Sequence, residues 1–367
     1  MQEKSLSAAS RRAGTYRSEG ADWYCNFTYT QLVGLGPEVG IHRRDPSSIL
    51  LVDGVHYVYY TRSSGPHFGR GQLGSATNKL FPWDYADVYY ATSKDGIVWQ
   101  EQGPAITRGS AGSFDARTVC TPDVLQHEGK FYLVYQTQSD RSSYDSARSE
   151  NIGMAIADSP TGPWRKVDKQ ILAPMDDGVW FGGEGTYNSG NFAGVTHDPS
   201  LYFYKGEFWL YYKCGSGASF DEGPKRHKHS GPDTRWGVAT SANPDGPYQH
   251  SPLNPITNSG HETMLWHYND GIAALLNRDG PEQDTIQWAP DGINFEVMAH
   301  VSATPQAGGA FRSGKEEAHP LAGMQWGLCH LDERGAHWNY LMRFDADQRQ
   351  GYRVGFSYPP SSAGGIF

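Results

Sequence analysis

The stretch DPSSILLVDGVHYVYYT, residues 45–61, reads as two β-strands joined by an Asp-Gly turn. β-Branched and aromatic residues fill both arms, and Gly54 supplies the positive φ that a tight hairpin turn demands. The unit returns as PDVLQHEGKFYLVYQT (122–137), DPSLYFYKGEFWLYYK (198–213), HETMLWHYNDGIAALLN (261–277) and LCHLDERGAHWNYLMRF (328–344). The turn glycines are Gly54, Gly129, Gly206, Gly271 and Gly335. A second hairpin follows each of the first four, at 88–106, 153–172, 236–256 and 285–301. Two hairpins make a four-stranded blade, and five repeats make a five-bladed β-propeller whose last blade is completed from elsewhere in the chain. Only residues 4–17 read as helix, with Ser5 or Ser7 as N-cap, so the fold is all-β with a short helical arm. The expected division is an arm over 1–30 and a propeller over 31–367.

Composition agrees with this reading. The 367 residues include 44 Gly and 22 Pro, and aromatics make up 13%, a turn-rich and ring-rich balance. The formal net charge of −9 comes without basic clusters, which disfavours nucleic acid and anionic membrane surfaces. No apolar run approaches the length of a membrane-spanning helix. The first 14 residues carry no apolar leader, so no signal peptide is expected and a cytoplasmic or periplasmic location stays open. Cys25, Cys120, Cys214 and Cys329 lie far apart, with no zinc-knuckle spacing, and read as buried thiols.

In a propeller the innermost strands start near the axis, so equivalent positions converge. Asp45, Asp123, Asp198 and Glu262 stand near the starts of four repeats, and the fifth offers His330. Four carboxylates around one cavity cost free energy unless donors or cations compensate; Arg44, Arg117 and Lys213 are candidate counter-charges. Carboxylates with separated pKa values are what glycoside hydrolysis requires. Trp83, Trp288, Trp326 and Tyr90 are then candidate sugar platforms. Gly69-x-Gly71-x-x-Gly74 matches a dinucleotide fingerprint but lacks a βαβ context, and reads as a loop. The basic run Lys225–His229 reads as a solvated loop, with an aglycone or sulfate contact as its functional alternative.

Long motifs carry a resemblance to glycoside hydrolase family 117, the α-1,3-(3,6-anhydro)-L-galactosidases. They are RRDPS (43–47), FPWD (81–84), ATSKD (91–95), GPAITRGSAGSFDAR (103–117), TPDV (121–124), DDGVW (176–180), HDPS (197–200), NPITNSGHE (254–262) and WAPDGINF (288–295). The resemblance implies an inverting exo-hydrolase of neoagarooligosaccharides with Asp45 as general base, Asp198 as pKa modulator and orienter, and His261 as general acid. Glu262 is the alternative acid or a sugar ligand, since adjacent strand residues face opposite ways unless the strand bends. Arg44, Trp83, Asp115, Arg117, Asp123, Gln136, His197, Lys213, Trp288 and His330 are the candidate substrate contacts. Ser7, Ala9 and Arg12 match an S-x-A-x-x-R pattern associated with an N-terminal arm that makes a homodimer. By analogy with related propellers, a single divalent cation in the axial channel is a possible addition, and no cofactor is otherwise required. The loops at 137–150 and 214–235 depart from the family pattern. A galactose or furanose glycone, or a carbohydrate-binding paralogue without catalysis, are the alternatives.

Overall fold

The computed structural model describes residues 5–13, 25–67, 79, 81–140, 150–174, 179–180, 190–191, 196–215, 234–278, 280–301, 303–312, 324–331 and 338–348. The Gly69–Gly74 loop, the Lys225–His229 run, Gly335 and most of the 176–180 motif lie outside them.

Helix α1 (Ala8–Ala13) and strand β1 (Cys25–Gln31) precede the first repeat. Blade 1 holds β2 (Ile41–Arg44) and β3 (Leu50–Val52), two halves of one innermost strand, then β4 (Val55–Ser64), β5 (Asp87–Ser93) and β6 (Trp99–Ile106). Blade 2 is β7 (Thr118–His127), β8 (Lys130–Gln138), β9 (Glu150–Ala157) and β10 (Arg165–Lys166). A two-stranded ribbon, β11 (Val179–Trp180) and β12 (Gly190–Asn191), comes next in the chain. Blade 3 is β13 (His197–Tyr204), β14 (Glu207–Gly215), β15 (Thr234–Ser241) and β16 (Gln249–His250). Blade 4 is β17 (Met264–Tyr268), β18 (Gly271–Leu276), β19 (Thr285–Ala289) and β20 (Glu296–His300). Blade 5 is β21 (Gly309–Arg312), β22 (Met324–His330) and β23 (Leu341–Gln348), closed on its outer edge by β1. Cys25 to Gln31 pair antiparallel with Gln348 to Met342, so β1 is the missing strand of the last blade. The propeller therefore takes in residues 25–30, which the sequence reading assigned to the arm.

The turns explain the regularity. Asp53-Gly54, Glu128-Gly129 and Lys205-Gly206 all have positive φ at both residues, the turn whose twist matches antiparallel strands. In blade 4 the left-handed pair is Asn269-Asp270, and Gly271 opens β18 instead, where a Cβ would stand 2.5 Å from the Ala289 carbonyl. The fifth hairpin read from sequence is one strand out of phase. Residues 328–344 join β22 to β23, whereas the other four copies join an innermost strand to its neighbour.

Five apolar clusters fill the five seams between blades. Alternation along β8 sends Tyr132 and Val134 into the seam with blade 3, and Leu133 and Tyr135 into the seam with blade 1. Inner strands are covered on both faces, and so read as continuous apolar runs. Each fully buried ring, such as Tyr59 or Trp266, contributes about 2–3 kcal/mol.

Helix α1 is shorter than expected but capped as expected: Ser7 Oγ accepts from the Ser10 amide at 3.1 Å. It docks on blade 4 and the loops beside it. Ser7 donates to the Pro255 carbonyl at 2.7 Å, and Asn258 donates to the Ala9 carbonyl at 2.9 Å. Arg12 bonds Glu282 at 3.0 Å, Glu296 at 2.9 Å and the Phe295 carbonyl at 2.6 Å.

Candidate active site

Each innermost strand carries a one-residue bulge at the same place. Arg44 faces Thr61 while Ser47 donates to Tyr59, so three residues on one strand span two on the next. The step recurs from Cys120–Gln136 to Asp123–Val134, and from His197–Lys213 to Ser200–Tyr211. It recurs again from His261–Asn277 to Met264–Leu275, and from Gln306–His330 to Gly309–Leu328. The residues heading the bulge are thus Asp45, Thr121, Asp198, Glu262 and Ala307. Four of them hold left-handed backbone, with φ of 49°, 45°, 47° and 44° for Asp45, Thr121, Asp198 and Ala307. A bulge re-aims a side chain that regular alternation would send into a seam, which is how these residues reach the axis.

The register corrects two assignments. Asp123 is not in phase with Asp45; Thr121 is, and Asp123 stands two residues further along. His330 ends the second strand of blade 5, and Ala307 holds the in-phase position. Three carboxylates therefore occupy the bulge ring: Asp45, Asp198 and Glu262. They line one cavity that is partly continuous with solvent. Thr121, Asp123, Thr263, Ala307 and Arg312 also line it.

The residues facing the bulges form a second tier. Thr61 accepts from the Thr121 amide at 2.7 Å, and Gln136 accepts from the Thr121 hydroxyl at 3.5 Å. Lys213 is ion-paired with Asp198. His330 Nδ1 lies 3.1 Å from Asp45 Oδ1 and 3.2 Å from its amide nitrogen. Asn277 donates to the Pro305 carbonyl at 2.8 Å. Burial works against ionised Asp45, but the Arg44 guanidinium 3.7 Å away, with His330 and Thr61, outweighs it and holds the carboxyl well below the usual carboxylate range.

His261 and Glu262 meet each other: His261 Nε2 lies 3.5 Å from Glu262 Oε1. Glu262 lines the cavity and its Oε2 is buried with no hydrogen-bond partner among the described residues. His261 is the more open of the two, its side chain 28% exposed against 10%. The bulge supplies the bend that lets neighbours in sequence share one region.

Other expected contacts fall at varying distance from this ring. The Arg44 guanidinium sits 5.2 Å from the Trp83 ring centroid, which places Trp83 beside the site; Trp83 in turn stacks on Phe81 at 4.7 Å. His197 pairs with Glu150 at the start of β13. Arg117 is buried against Asp84 at 3.0 Å and lies 4.8 Å from the Tyr85 ring. Asp115 is buried and bonded to Lys166 at 2.6 Å and Ser113 at 2.8 Å. Both belong to the support of blades 1 and 2. Trp288, which donates to the Tyr268 carbonyl at 2.9 Å, and Trp326, stacked on Phe311 at 5.1 Å, pack in seams. Tyr90 stacks on Tyr59 at 6.0 Å in another.

Thr61, Thr121 and Arg312 were missed in the sequence. The repeated X-Pro of Asp45-Pro46, Thr121-Pro122 and Asp198-Pro199 is the signal that would have placed Thr121. Among the described residues no three His, Cys, Asp or Glu side chains are grouped to hold a metal ion. All four cysteines are buried, and burial pushes the Cys120 thiol well up, away from nucleophilic use.

The sequence pattern of glycosyl hydrolases family 43 matches residues 39–187, which span blade 1, blade 2 and strand β11. A non-reducing end α-L-arabinofuranosidase of Bacteroides ovatus is 26% identical over 209 residues; the match takes in 50% of this chain and 37% of that longer protein. A sucrose-6-phosphate hydrolase of Lactobacillus gasseri shares the fold, with a TM-score of 0.56 at 13% identity over 87% of this chain and 61% of that one. A family 117 glycoside hydrolase of the marine bacterium Zobellia galactanivorans superposes with a TM-score of 0.72 at 33% identity, covering 89% of this chain and 92% of that one. Agreement of that depth, along nearly the whole of both chains, makes this propeller a member of glycoside hydrolase family 117.

Proposed function

We propose that the chain is an exo-acting, inverting glycosidase that releases a terminal 3,6-anhydro-L-galactose-type residue from α-1,3-linked neoagarooligosaccharides. The observation that carries this reading is the ring of Asp45, Asp198 and Glu262, delivered to one cavity by the same bulge in three blades. Asp45, kept ionised by Arg44 and His330, takes a proton from water. That water attacks the anomeric carbon as the glycosidic C–O bond breaks on the opposite face, and a proton donor delivers its proton to the leaving oxygen. His261 is the donor, being the more exposed member of the His261–Glu262 pair; Glu262 holds it and binds the sugar. Lys213 fixes Asp198, which orients the glycone. The placement of Glu262 in the carboxylate ring favours a second reading in which Glu262 itself is the acid.

A panel of neoagaro-, carrageenan- and porphyran-derived oligosaccharides tests the substrate, and NMR of the first-formed anomer tests inversion. Release of anhydrogalactose from neoagarobiose or its longer homologues, with inverted configuration, is expected; cleavage of another glycoside alone would remove the substrate assignment. The likeness to an arabinofuranosidase favours a furanose glycone as the alternative in that case. His261→Ala should abolish turnover of a poor-leaving-group substrate while Glu262→Gln retains it; the opposite pattern moves the proton to Glu262. The reading includes a homodimer formed through the N-terminal arm.

A further inference from the structure

One side chain crosses the axis close to the acid ring. Arg312 ends β21 in blade 5, yet its Nη2 bonds Asp123 Oδ2 at 3.0 Å and Ser200 Oγ at 2.9 Å. Its Nη1 reaches the Leu201 carbonyl at 3.4 Å, and its guanidinium carbon lies 3.9 Å from the Tyr202 ring centroid. These partners belong to blades 2 and 3, on the far side of the axis from blade 5. Asp123 carries four protein donors. Its Oδ1 accepts from the Ser48 amide at 3.0 Å, and its Oδ2 accepts from Ser200 Oγ at 2.8 Å and the Leu201 amide at 3.1 Å. Ser48 stands three residues beyond Asp45, and Leu201 three beyond Asp198, so both amides lie just past a bulge.

We infer that Asp123 and Arg312 are a positioning pair that sets the separation of Asp45 and Asp198. The inference rests on the roles proposed above for those two acids. A bulge breaks the regular ladder, so strand pairing alone leaves the two carriers of the acids under-determined. Charge-assisted bonds to one carboxylate tie both carriers to a common point, and Arg312 pins that point from the opposite blade. Neither residue acts on the sugar; both act through the backbone that holds the acids. This also accounts for Asp123, most of whose hydrogen-bonding capacity is spent on the protein.

Kinetics of Arg312→Met and Arg312→Lys, on whichever glycoside the wild-type enzyme hydrolyses, test the pair. Arg312→Met should lower kcat about 100-fold with KM within about threefold, the split expected of misplaced catalytic groups rather than lost binding. The acid limb of kcat/KM should move upward as Asp45 shifts relative to Arg44 and His330, and Arg312→Lys should recover most of the rate. Crystal structures of wild type and Arg312→Met should show a changed Asp45–Asp198 carboxylate separation. A folded Arg312→Met enzyme with unaltered kcat and pH profile overturns the inference. Should the wild type hydrolyse no glycoside at all, it is the proposed function that falls. The carboxylate separation then decides the positioning role alone: displaced acids uphold it and unmoved acids overturn it.

Discussion

Asp45 shows how much chemistry one residue inherits from its neighbours. It is deeply buried, which alone would favour its neutral form, yet Arg44 and His330 keep it ionised. Asp45→Asn should lower kcat by about a thousandfold, within the range for loss of a general base, with folding retained by circular dichroism. Removing the counter-charge by Arg44→Met should raise the Asp45 pKa and move the acid limb of kcat/KM to higher pH. The same linkage governs stability. A depressed folded-state pKa stabilises the fold above the unfolded value of about 4, and that contribution disappears as the pH falls toward the folded value. Urea titrations at neutral and acid pH should therefore show a smaller loss on acidification for Arg44→Met than for wild type. These carboxylates were legible because each opens a repeat. The protonation partner was not, because His261 and Glu262 are consecutive and only the bulge brings both to the same place.

At the scale of elements, the bulge is the device that builds the site, and it is also where sequence reasoning slipped. Taking the carboxylate nearest the start of each repeat put Asp123 in the ring; counting from the repeated X-Pro puts Thr121 there and leaves Asp123 as a strut between blades. The fifth copy was misread for a related reason. Residues 328–344 have the same strand-turn-strand pattern as the others, but hairpins within a blade look alike whichever pair of strands they join. The arm is a second element with a sharp consequence. Arg12 ties α1 to Glu282, whose carboxyl stays below its usual range despite burial because of Arg12, Asn258 and Gln287. Arg12→Ala leaves that carboxylate without its ion partner and should cost about 3 kcal/mol, measured by chemical denaturation. If the arm joins two copies, the same substitution should halve the mass in sedimentation; a monomeric mass for wild type at all concentrations would remove the dimer.

For the molecule as a whole, five equivalent seams explain why so many rings were mistaken for sugar platforms. A strand covered on both faces needs aromatics on both, and nothing in the local pattern separates a ring facing a seam from one facing the axis. Trp288, Trp326 and Tyr90 went to seams, while Trp83, in the connection between β4 and β5, stands beside Arg44. The fold class was readable from periodicity alone, since five copies leave few other closures. Its closing strand was not, because β1 has no hairpin partner near it in sequence. Deleting residues 1–31 should abolish cooperative unfolding by exposing the β23 edge and the Phe344 ring that Phe27 covers, whereas deleting 1–24 should leave a folded propeller; thermal denaturation distinguishes the two.

That closure also has a history in time. β1 is synthesised before any blade exists, and its partner β23 emerges about three hundred residues later. At roughly 5–20 residues per second, the nascent strand waits about 15–60 s with an unpaired edge beside the ribosome. During that interval Cys25, Phe27 and the open backbone of β1 have no native home, so the last residues made decide whether the first ones are ever sheltered.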